Sequence, residues 1–311
     1  MRIVVTGASG FIGWHLVDAM ARRGDTVQAW THRRTDDHWQ GGTEAIAVDI
    51  TDRVAVSKQL AAFVPELIIH LAAQSLPGRS WKEPALTYQV NVIGLIHLLE
   101  SIRRLAHPAR LLVAGSSAEY AEPVDARAIS EDDPTDPNSP YASSKLAADQ
   151  LVRLYRHRYD LDVVRFRPFF LAGPRKQGDV CSDFARRIVA LERGEERILR
   201  VGSLDVMRDI IDIRDGVSGI LRIAEVGKSG EVYNVCGGQS VSIGDILDTY
   251  RRLAAVPVQV RQDPALLRPL EQKSKVGDPS KLRALGWKPE KELDETLKSI
   301  LEYWRAASKE T

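Results

Sequence analysis

The sequence predicts an α/β protein whose helices cover both faces of a doubly wound parallel sheet. Three observations predict this class. Short β-branched segments alternate with apolar patterns of helical spacing from Arg2 to Arg167. The segment Leu67–Leu71 is strongly apolar, as is typical of a strand buried on both faces. A glycine-rich turn joins the first strand to the first helix, and alternation of this kind predicts right-handed crossovers between parallel strands.

The elements of this first unit follow from their composition in chain order. β-branched or apolar runs predict strands at Arg2–Thr6, Thr26–Thr31, Thr43–Val48, Leu67–Leu71, Leu111–Gly115 and Val163–Arg167. Apolar residues at helical spacing predict helices at Phe11–Arg22, Val54–Phe63, Ala85–Leu105 and Tyr141–Tyr159. We therefore expect residues 1–167 to form one dinucleotide-binding domain.

After Arg167 the alternation loosens, and prolines and glycines mark a loop-rich region. Helical patterns recur at Ser182–Arg193, Ile213–Ala224, Ile243–Leu253 and Leu293–Arg305, separated by short strand-like pieces. We expect residues 168–208 and 237–311 to form a smaller, mixed α/β substrate-binding domain. The segment near 209–236 is expected to return to the main sheet.

Composition excludes several classes of protein. With 44% hydrophobic and 27% charged residues, the 311-residue chain is globular and not disordered. Lys plus Arg (43) balances Asp plus Glu (42), so nucleic acid is not an expected partner. The two cysteines can form neither a disulfide framework nor a thiolate metal cage. No apolar run approaches the roughly 20 residues that span a bilayer, so we expect a cytoplasmic protein without membrane or metal.

The first strand is followed by glycines spaced three residues apart, at Gly7, Gly10 and Gly13. One glycine allows a tight turn, another lets the backbone approach a pyrophosphate, and the third lets helix and strand pack closely. The helix that begins with Phe11 and Ile12 would offer N–H groups and a partial positive charge to the phosphates. Because the loop lies between a strand and a helix, it indicates a Rossmann-type dinucleotide site rather than an ordinary turn.

The end of the second strand bears on the choice of dinucleotide. A site for NAD usually has an Asp or Glu there, which binds the ribose hydroxyls. This chain has Thr31 at that place, followed by Arg33 and Arg34, so a hydroxyl and two guanidiniums are available to a 2′-phosphate. We predict NADP(H) rather than NAD(H); a solvated basic turn is the other interpretation of the arginines. Asp49 and Ile50, after the third strand, are placed to meet the adenine.

Tyr141 and Lys145 are four residues apart in a predicted helix, which places both on one face. An ammonium near a phenol stabilises the phenolate, so the pKa of Tyr141 should fall below its usual value of about 10. Such a tyrosine can exchange a proton with a sugar alcohol or ketone while a nicotinamide exchanges hydride. Ser117, after a strand that ends in Gly115, would hydrogen-bond the reacting oxygen. Glu119 is either a second acid or base or a residue at the rim of the site.

These motifs together resemble the extended short-chain dehydrogenase/reductases that act on nucleotide sugars. Besides the glycine loop, Ser117 and the Tyr/Lys pair, the resemblance rests on the segment from His70 to Ala73 and on Asn91 with Gly94. It covers nearly the whole chain. The further cofactor-binding residues that it implies are Leu71, Ala72, Ala73, Asn91, Tyr141 and Lys145.

The second half narrows the resemblance. The segment Val201–Asp209 and the C-terminal segments are similar to the GDP-mannose 4,6-dehydratase and GDP-4-keto-6-deoxymannose reductase group. The resemblance implies that Arg208 and Arg268 bind a diphosphate and that Glu271 binds a ribose; surface salt bridges are the alternative. Guanidinium forks and a carboxylate suit these roles. Phe170 stands where the group usually has an asparagine that contacts the sugar nucleotide, so the sugar stays open.

The resemblance leaves a choice between reductase and dehydratase. Dehydratases carry a Thr-x-Glu element and an extended loop after the second strand. This chain has Ser117-Ala118-Glu119 and only a short loop after Thr31. We therefore favour NADPH-dependent reduction of the C4 ketone of a GDP-4-keto-6-deoxyhexose, as in GDP-rhamnose formation, with Tyr141 donating the proton. A GDP-mannose 4,6-dehydratase and a 4-epimerase or other nucleotide-sugar reductase are the alternatives. A non-catalytic dinucleotide sensor is disfavoured, because such a protein usually loses the tyrosine or the lysine.

The family resemblance also implies a homodimer. The helix around Ala85–Leu105 and the helix that begins near Tyr141 would pair with their copies in a four-helix bundle. An intramolecular core is the alternative use of their apolar faces. The residues of these faces are Leu95, Leu98, Leu99, Ile102, Leu146, Leu151 and Leu154.

Overall fold

The computed structural model describes residues 1–33, 39, 41–122, 127–267 and 274–307. The strands are β1 (Arg2–Thr6), β2 (Thr26–Thr31), β3 (Thr43–Ala47), β4 (Leu67–His70), β5 (Arg110–Ala114), β6 (Val163–Pro168), β7 (Phe170–Ala172), β8 (Leu199–Val201), β9 (Met207–Arg208), β10 (Ile210–Asp212), β11 (Val232–Val235), β12 (Val241–Ser242), β13 (Val260–Gln262) and β14 (Ser274–Lys275). The α-helices are α1 (Phe11–Arg22), α2 (Arg53–Phe63), α3 (Pro77–Lys82), α4 (Pro84–Tyr88), α5 (Gly94–Ile102), α6 (Pro140–Tyr159), α7 (Val180–Glu192), α8 (Ile213–Val226), α9 (Ile243–Leu253), α10 (Ser280–Arg283) and α11 (Leu293–Ala307).

A seven-stranded parallel sheet confirms the predicted fold class. Its order is β11-β6-β5-β4-β1-β2-β3. The chain builds outward from β1 through β2 to β3, then crosses back to place β4 on the other side of β1. This reversal opens a crevice beyond the carboxyl ends of β1 and β4, where ligands of doubly wound sheets bind. The late strand β11 joins the edge of the sheet beside β6.

Both faces of the sheet are buried, as the apolar strands predict. Ile3 and Val5 of β1 pack with α1 and α8 on one face, in a cluster that includes Leu16 and Ile220. Val4, which points the other way, packs with α2, α5 and α6. Successive side chains of a strand alternate between faces, so a strand covered on both sides must be apolar throughout.

The predicted helix at 85–105 is interrupted. A π-helical turn, Gln89–Ile93, separates α4 from α5. Such turns are rare and occur frequently at functional sites. Gly94 follows the turn because a Cβ there would approach Cγ2 of Ile50 to 2.8 Å.

The stretch Pro84–Ile102 is long and apolar enough to cross a membrane by length and composition, which the sequence did not lead us to expect. Buried core helices of soluble proteins pass the same test. Leu95, Leu98, Leu99 and Ile102 are fully buried against the main sheet. Packing inside the protein therefore accounts for the apolar character of α5, and these four side chains are core residues and not a subunit surface.

A third apolar cluster lies in the second half of the chain. It joins α7, α9 and α11 with β8, through fully buried residues such as Ile188, Ile246 and Ile300. Short strand pairs surround it: β10 with β7, β13 with β8, and β9 between β12 and β14. This mixed α/β part places β9 and β14 next to the loops that leave the main sheet.

Candidate active site

The glycine loop has the tight geometry that the spacing predicts. Gly7 has a φ of +67°, and a Cβ there would lie 2.7 Å from the backbone nitrogen of Ala72. Gly10 donates its N–H to the carbonyl of Gly7 at 3.0 Å. A Cβ on Gly13 would collide with the same carbonyl oxygen. Gly7 and Gly13 are therefore required by close backbone approaches and, for Gly7, by a left-handed conformation, whereas a Cβ on Gly10 would make only a tight contact of 3.1 Å with the Gly7 carbonyl oxygen.

The N-terminus of α1 fits a dinucleotide pyrophosphate. Gly10 is the N-cap of this helix, and no side chain caps its first N–H groups, which include those of Phe11 and Ile12. The first turn contains no acidic residue. The helix end therefore presents unsatisfied donors and a partial positive charge, which a phosphate satisfies.

A hydroxyl network joins the glycine loop to the neighbouring strand. Oγ1 of Thr6 accepts hydrogen bonds from the N–H groups of Leu71 and Ala72, both at 3.1 Å. It also lies 2.8 Å from Nδ1 of His70. Burial and the nearby charge of Lys145 lower the pKa of His70 to about 3, so this ring is neutral and structural. The network holds the segment that ends in the partly buried Ala73 against the cofactor crevice.

The residues predicted to choose the cofactor lie at the carboxyl ends of β2 and β3. Thr31 is buried, and its hydroxyl donates to the carbonyl of Arg33 at 2.6 Å, so it shapes the turn. Arg33 is exposed, whereas Arg34 lies outside the described residues. Oδ1 of Asp49 accepts from the N–H and the hydroxyl of Thr51, at 2.8 and 2.7 Å. The adjacent Ile50 is buried against Gly94.

Helix α6 places the Tyr/Lys pair at the carboxyl end of β5. Ser139 caps this helix by accepting the N–H of Ala142, and Pro140 occupies its first turn. Tyr141 is partly exposed, while Lys145 is buried one turn later. The Lys145 ammonium donates to the carbonyl oxygen of Ala114 at 2.8 Å. Burial lowers the pKa of Lys145 to about 8, and the charge of Glu119 opposes this shift.

The pKa of Tyr141 differs from the prediction. Burial of the phenol raises it above the usual value, because desolvation outweighs the hydrogen bond from Ser116 that lowers it. The negative charge of Glu119 raises it further. A phenol is protonated at neutral pH even at its ordinary pKa, and the shift leaves Tyr141 in that protonated form.

The hydroxyl that lowers the pKa of Tyr141 by hydrogen bonding is that of Ser116, one residue before the predicted Ser117. Ser116 has extended backbone angles and caps a 3₁₀ turn, Ser117–Glu119, by accepting the N–H of Ala118 at 3.1 Å. Glu119 accepts the N–H of Ser116 in return, at 2.7 Å. This reciprocal pattern is a capping box. The spacing Ser-x-x-Glu was therefore a signal by which the sequence could have identified Ser116.

Glu119 lies in the protein interior and not at the rim of the cleft. Its side chain is fully buried, and Oε2 accepts from Nε of Arg167 at 2.8 Å. Its Oε1 holds the N–H of Ser116, so both oxygens are engaged. Arg167 also approaches Asp149 at 3.5 Å, and Asp149 pairs with Arg165. Burial raises the pKa of Glu119, while the charges of Arg167 and Lys145 oppose this.

Asn91 lies at the centre of the π-helical turn and is buried. Its Oδ1 accepts the N–H of Gln74 at 2.7 Å, and its Nδ2 donates to the carbonyl of Gln74 and to Oγ of Ser144. Ser144 lies between Tyr141 and Lys145 in sequence. Asn91 therefore fixes α6 relative to the segment that follows β4.

Two of the predicted substrate residues, Phe170 and Arg208, lie on short strands of the second part of the chain. Phe170 begins β7, and its ring lies 4.0 Å from Nζ of Lys176. Arg208 ends β9 and donates to the carbonyl of Met207 at 2.8 Å. The adjacent Asp209 is buried and accepts N–H groups from the loops at 237–238 and 277, which fixes the strand. Arg268 and Glu271 lie outside the described residues.

Comparisons with known proteins agree with this architecture. Residues 4–300 match the family described as GDP-mannose 4,6 dehydratase. The chain is 32% identical to a GDP-6-deoxy-D-mannose reductase of Pseudomonas aeruginosa, over 99% of each chain.

Two solved structures have the same fold over nearly their full lengths. One is RMD from Pseudomonas aeruginosa complexed with NADPH, with a TM-score of 0.86 and 31% identity over 98% of this chain and 99% of that one. The other is a UDP-glucose 4-epimerase of Thermus thermophilus with NAD, with a TM-score of 0.88 and 28% identity over 99% and 100%. Together with the glycine loop and the Tyr/Lys pair, the extent of these matches establishes that the chain is an enzyme of the extended short-chain dehydrogenase/reductases and belongs to the GDP-mannose 4,6-dehydratase family.

Proposed function

We propose that this enzyme uses NADPH to reduce the C4 ketone of a GDP-4-keto-6-deoxyhexose, the type of reaction that forms GDP-rhamnose. The observation that carries the proposal is the pairing of Tyr141 with Ser116 while Glu119 is buried against Arg167. The cleft thus has a proton donor and a hydroxyl for a carbonyl oxygen. The likeness to a GDP-6-deoxy-D-mannose reductase supports the choice of substrate.

Residues of this chain supply the proton that the ketone oxygen receives during reduction. NADPH, when bound, would supply the hydride that adds to the ketone carbon. Tyr141, a phenol that is protonated at neutral pH, donates its proton to the ketone oxygen, which leaves the alcohol. Ser116 hydrogen-bonds the Tyr141 hydroxyl. We assign to Ser116 the hydrogen bond to the reacting oxygen that was predicted for Ser117. Lys145 is largely an ammonium at neutral pH, so its charge stabilises the phenolate that remains.

The burial of Glu119 is the argument against dehydration. Elimination of water from a 4-keto sugar needs a group that removes the C5 proton and an acid for the leaving oxygen. Glu119 was the candidate, but Arg167 and the Ser116 N–H occupy both of its oxygens. The residue before it, Ala118, has no ionisable group. We therefore retain the preference for reduction over dehydration.

A 4-epimerase is the second candidate, because the fold is equally similar to a UDP-glucose 4-epimerase. An epimerase retains its NAD through each cycle, which favours a carboxylate at the end of β2. That place is occupied here by Thr31, whose hydroxyl is bound to the backbone. The cofactor site therefore favours a reductase that exchanges NADPH for NADP⁺ at each turnover.

The second part of the chain supplies the remaining contacts in this proposal. We assign residues 1–167 to NADP(H), with the segment near 209–236, and residues 168–208 and 237–311 to the nucleotide sugar. Arg208 and Arg268 would bind the diphosphate, and Glu271 the ribose, while Phe170 lines the sugar side. Cys181 and Cys236 are buried free thiols, which fits a reducing, cytoplasmic compartment.

A product assay tests the function directly. Purified protein is given GDP-4-keto-6-deoxymannose with NADPH, and the absorbance of the reduced cofactor and the sugar product are followed. We expect NADPH oxidation with one alcohol formed for each NADPH consumed. Epimerisation of a UDP-hexose without net consumption of cofactor would replace this proposal with the epimerase.

The cofactor preference is a separate prediction. Binding should favour NADPH over NADH, because Thr31 brings no negative charge near the 2′-phosphate and Arg33 is exposed beside it. Substituting Arg33→Ala should narrow the difference by about tenfold, the effect of one lost charge-assisted contact. Fluorescence titration with both cofactors measures it. Equal affinity of the unmodified protein for NADPH and NADH would contradict the assignment.

The structure changes the surface on which we expect a second copy of the chain to pack. Since Leu95, Leu98, Leu99 and Ile102 are buried in the core, we propose that a second copy packs instead on exposed apolar residues of α4, α6 and the π-helical turn. These residues are Leu86, Ile93 and Leu154. Light scattering at micromolar concentration should give a dimer, and Leu154→Glu should shift it toward monomer. A monomeric unmodified protein would count against the proposal.

A further inference from the structure

The catalytic helix α6 is held near its N-terminus by the segment that joins β4 to α5. Ser80 of α3 accepts the backbone N–H of Tyr141 at 3.1 Å. The hydroxyl of Tyr88, in α4, lies 2.7 Å from Oγ of Ser143. Asn91 of the π-helical turn makes the third contact, to the serine that follows Ser143. Of these three contacts, the one from Ser80 reaches the residue that carries the phenol.

The hydroxyl of Ser80 is engaged inside the protein both as a donor and as an acceptor. Ser80 is fully buried. Its Oγ donates to the carbonyl of Pro77 at 2.7 Å and accepts from Tyr141 at 3.1 Å. Its own N–H donates to the carbonyl of Leu76 at 3.1 Å. The start of α3 therefore fixes Ser80, and burial keeps its hydroxyl away from any ligand in the cleft.

The N–H that Ser80 accepts belongs to a helix terminus. The first four N–H groups of a helix have no carbonyl partner within the helix. Ser139, the N-cap of α6, satisfies one of them by accepting from Ala142. The N–H of Tyr141 is satisfied instead by a residue 61 positions earlier in the chain. Without Ser80 this partly buried donor would lose its partner, and the backbone would be free to turn toward another acceptor.

The placement of this backbone matters because it carries the proton donor. The Tyr141 hydroxyl hydrogen-bonds Ser116 and lies at the far end of a long, rigid side chain. A small rotation of the backbone therefore displaces the hydroxyl by more than it moves the main chain. A misplacement of about 1 Å at a reacting group can lower a rate by about 100-fold.

We propose that Ser80 is a positioning residue, which fixes the backbone of Tyr141 so that its phenol stays aligned with Ser116 and the sugar oxygen. The reaction in this inference rests on the proposed function. Ser80 acts through the main chain of Tyr141 and transfers no proton. The short helix α3 then has a role in catalysis, because it presents Ser80 to the start of α6.

Steady-state kinetics with the ketone substrate test the inference. Ser80→Ala should lower kcat by about 10-fold, while KM and the affinity for NADPH stay within about twofold of the unmodified enzyme. Binding should persist because the groups that line the cleft are unchanged. Turnover should fall because the proton donor is no longer held in line.

Two variants are matched controls. Tyr88→Phe removes a hydroxyl contact to the same helix, at Ser143, and should leave kcat unchanged. Ser101→Ala removes the hydroxyl of another buried serine, which donates to the carbonyl of His97 in α5, and should also leave kcat unchanged. A loss of kcat in either control as large as that in Ser80→Ala would contradict a specific role for Ser80.

A double variant shows whether Ser80 acts through the phenol. In the Tyr141→Phe background, Ser80→Ala should cause no further loss of kcat, because the group that Ser80 positions is already absent. A further loss of about 10-fold would mean that Ser80 acts independently of the phenol, which would refute the inference.

Hydrogen exchange tests the contact without turnover. In the unmodified protein the Tyr141 amide should be protected, although it lies in the first turn of α6. Mass spectrometry of peptides that cover the start of this helix should show faster exchange in Ser80→Ala and an unchanged rate in Tyr88→Phe. An unprotected Tyr141 amide in the unmodified protein would rule out the inference without reference to any variant.

The proposed function and this inference fail in different ways. If the enzyme epimerises a UDP-hexose instead of reducing the ketone, and Ser80→Ala slows that reaction, the proposed function fails and Ser80 keeps its role. If the ketone is reduced and Ser80→Ala has a kcat within about twofold of the unmodified enzyme, the proposed function stands and the inference fails.

Discussion

Substituting Tyr141→Phe should lower the turnover number for ketone reduction by a factor of about 10²–10⁴, because it removes the proton donor and leaves the cleft otherwise intact. The affinity for NADPH should change little. Stopped-flow measurement of NADPH oxidation with saturating ketone gives the turnover number, and titration gives the affinity. Turnover within about threefold of the unmodified enzyme would remove Tyr141 from the mechanism.

Two serines provide a matched pair of controls for this result. Ser116→Ala removes the hydroxyl in contact with Tyr141 and should lower turnover. Ser117→Ala, one residue further on, should leave it nearly unchanged. The opposite order would restore the assignment that the sequence favoured.

Glu119 distinguishes reduction from dehydration. Glu119→Gln should retain turnover within about tenfold, since this side chain holds Ser116 in place and does not transfer the proton. In a dehydratase, Glu119→Gln would lower turnover as much as Tyr141→Phe does. The unmodified enzyme should not convert GDP-mannose alone; formation of a 4-keto-6-deoxy product from it would overturn the assignment as a reductase.

Substituting Arg167→Met should lower the free energy of unfolding by about 3–5 kcal/mol. The reason is that Glu119 would remain buried without its cation, while Asp149 would keep its ion pair with Arg165. Urea unfolding followed by circular dichroism measures the loss. The side chains of the Arg167–Glu119 pair are only 5% and 0% exposed, so solvent cannot replace the missing partner.

An exposed ion pair and a double variant test this explanation. Arg252 pairs with Asp294 at 3.1 Å, but the two side chains are 61% and 66% exposed. Arg252→Met should therefore cost at most about 1 kcal/mol. The double variant Glu119→Gln, Arg167→Met should be more stable than the sum of its single changes predicts, because no charge is left unpaired. Additive losses would show that the two side chains contribute independently.

The main sheet and the outline of the site follow from local patterns in the sequence. The strands and helices of residues 1–167 were predicted to within a few residues, apart from the π-helical turn and the short helix α3. Their apolar periods and the fully covered strands are local properties. The same holds for the glycine loop, whose turn requires its residues, and for Tyr141 and Lys145, which share a helix face by spacing alone.

Which side chains meet in the site depends on contacts between segments that are distant in the sequence. Whether Ser116 or Ser117 meets Tyr141 depends on the 3₁₀ turn, which Glu119 holds from the interior with Arg167, a residue distant in sequence. Contacts between distant segments also decided that Leu98 is a core residue and that Lys275 lies opposite Arg208. A periodic pattern shows which side chains are apolar or charged. The partner that each side chain contacts depends on packing between elements far apart in the chain.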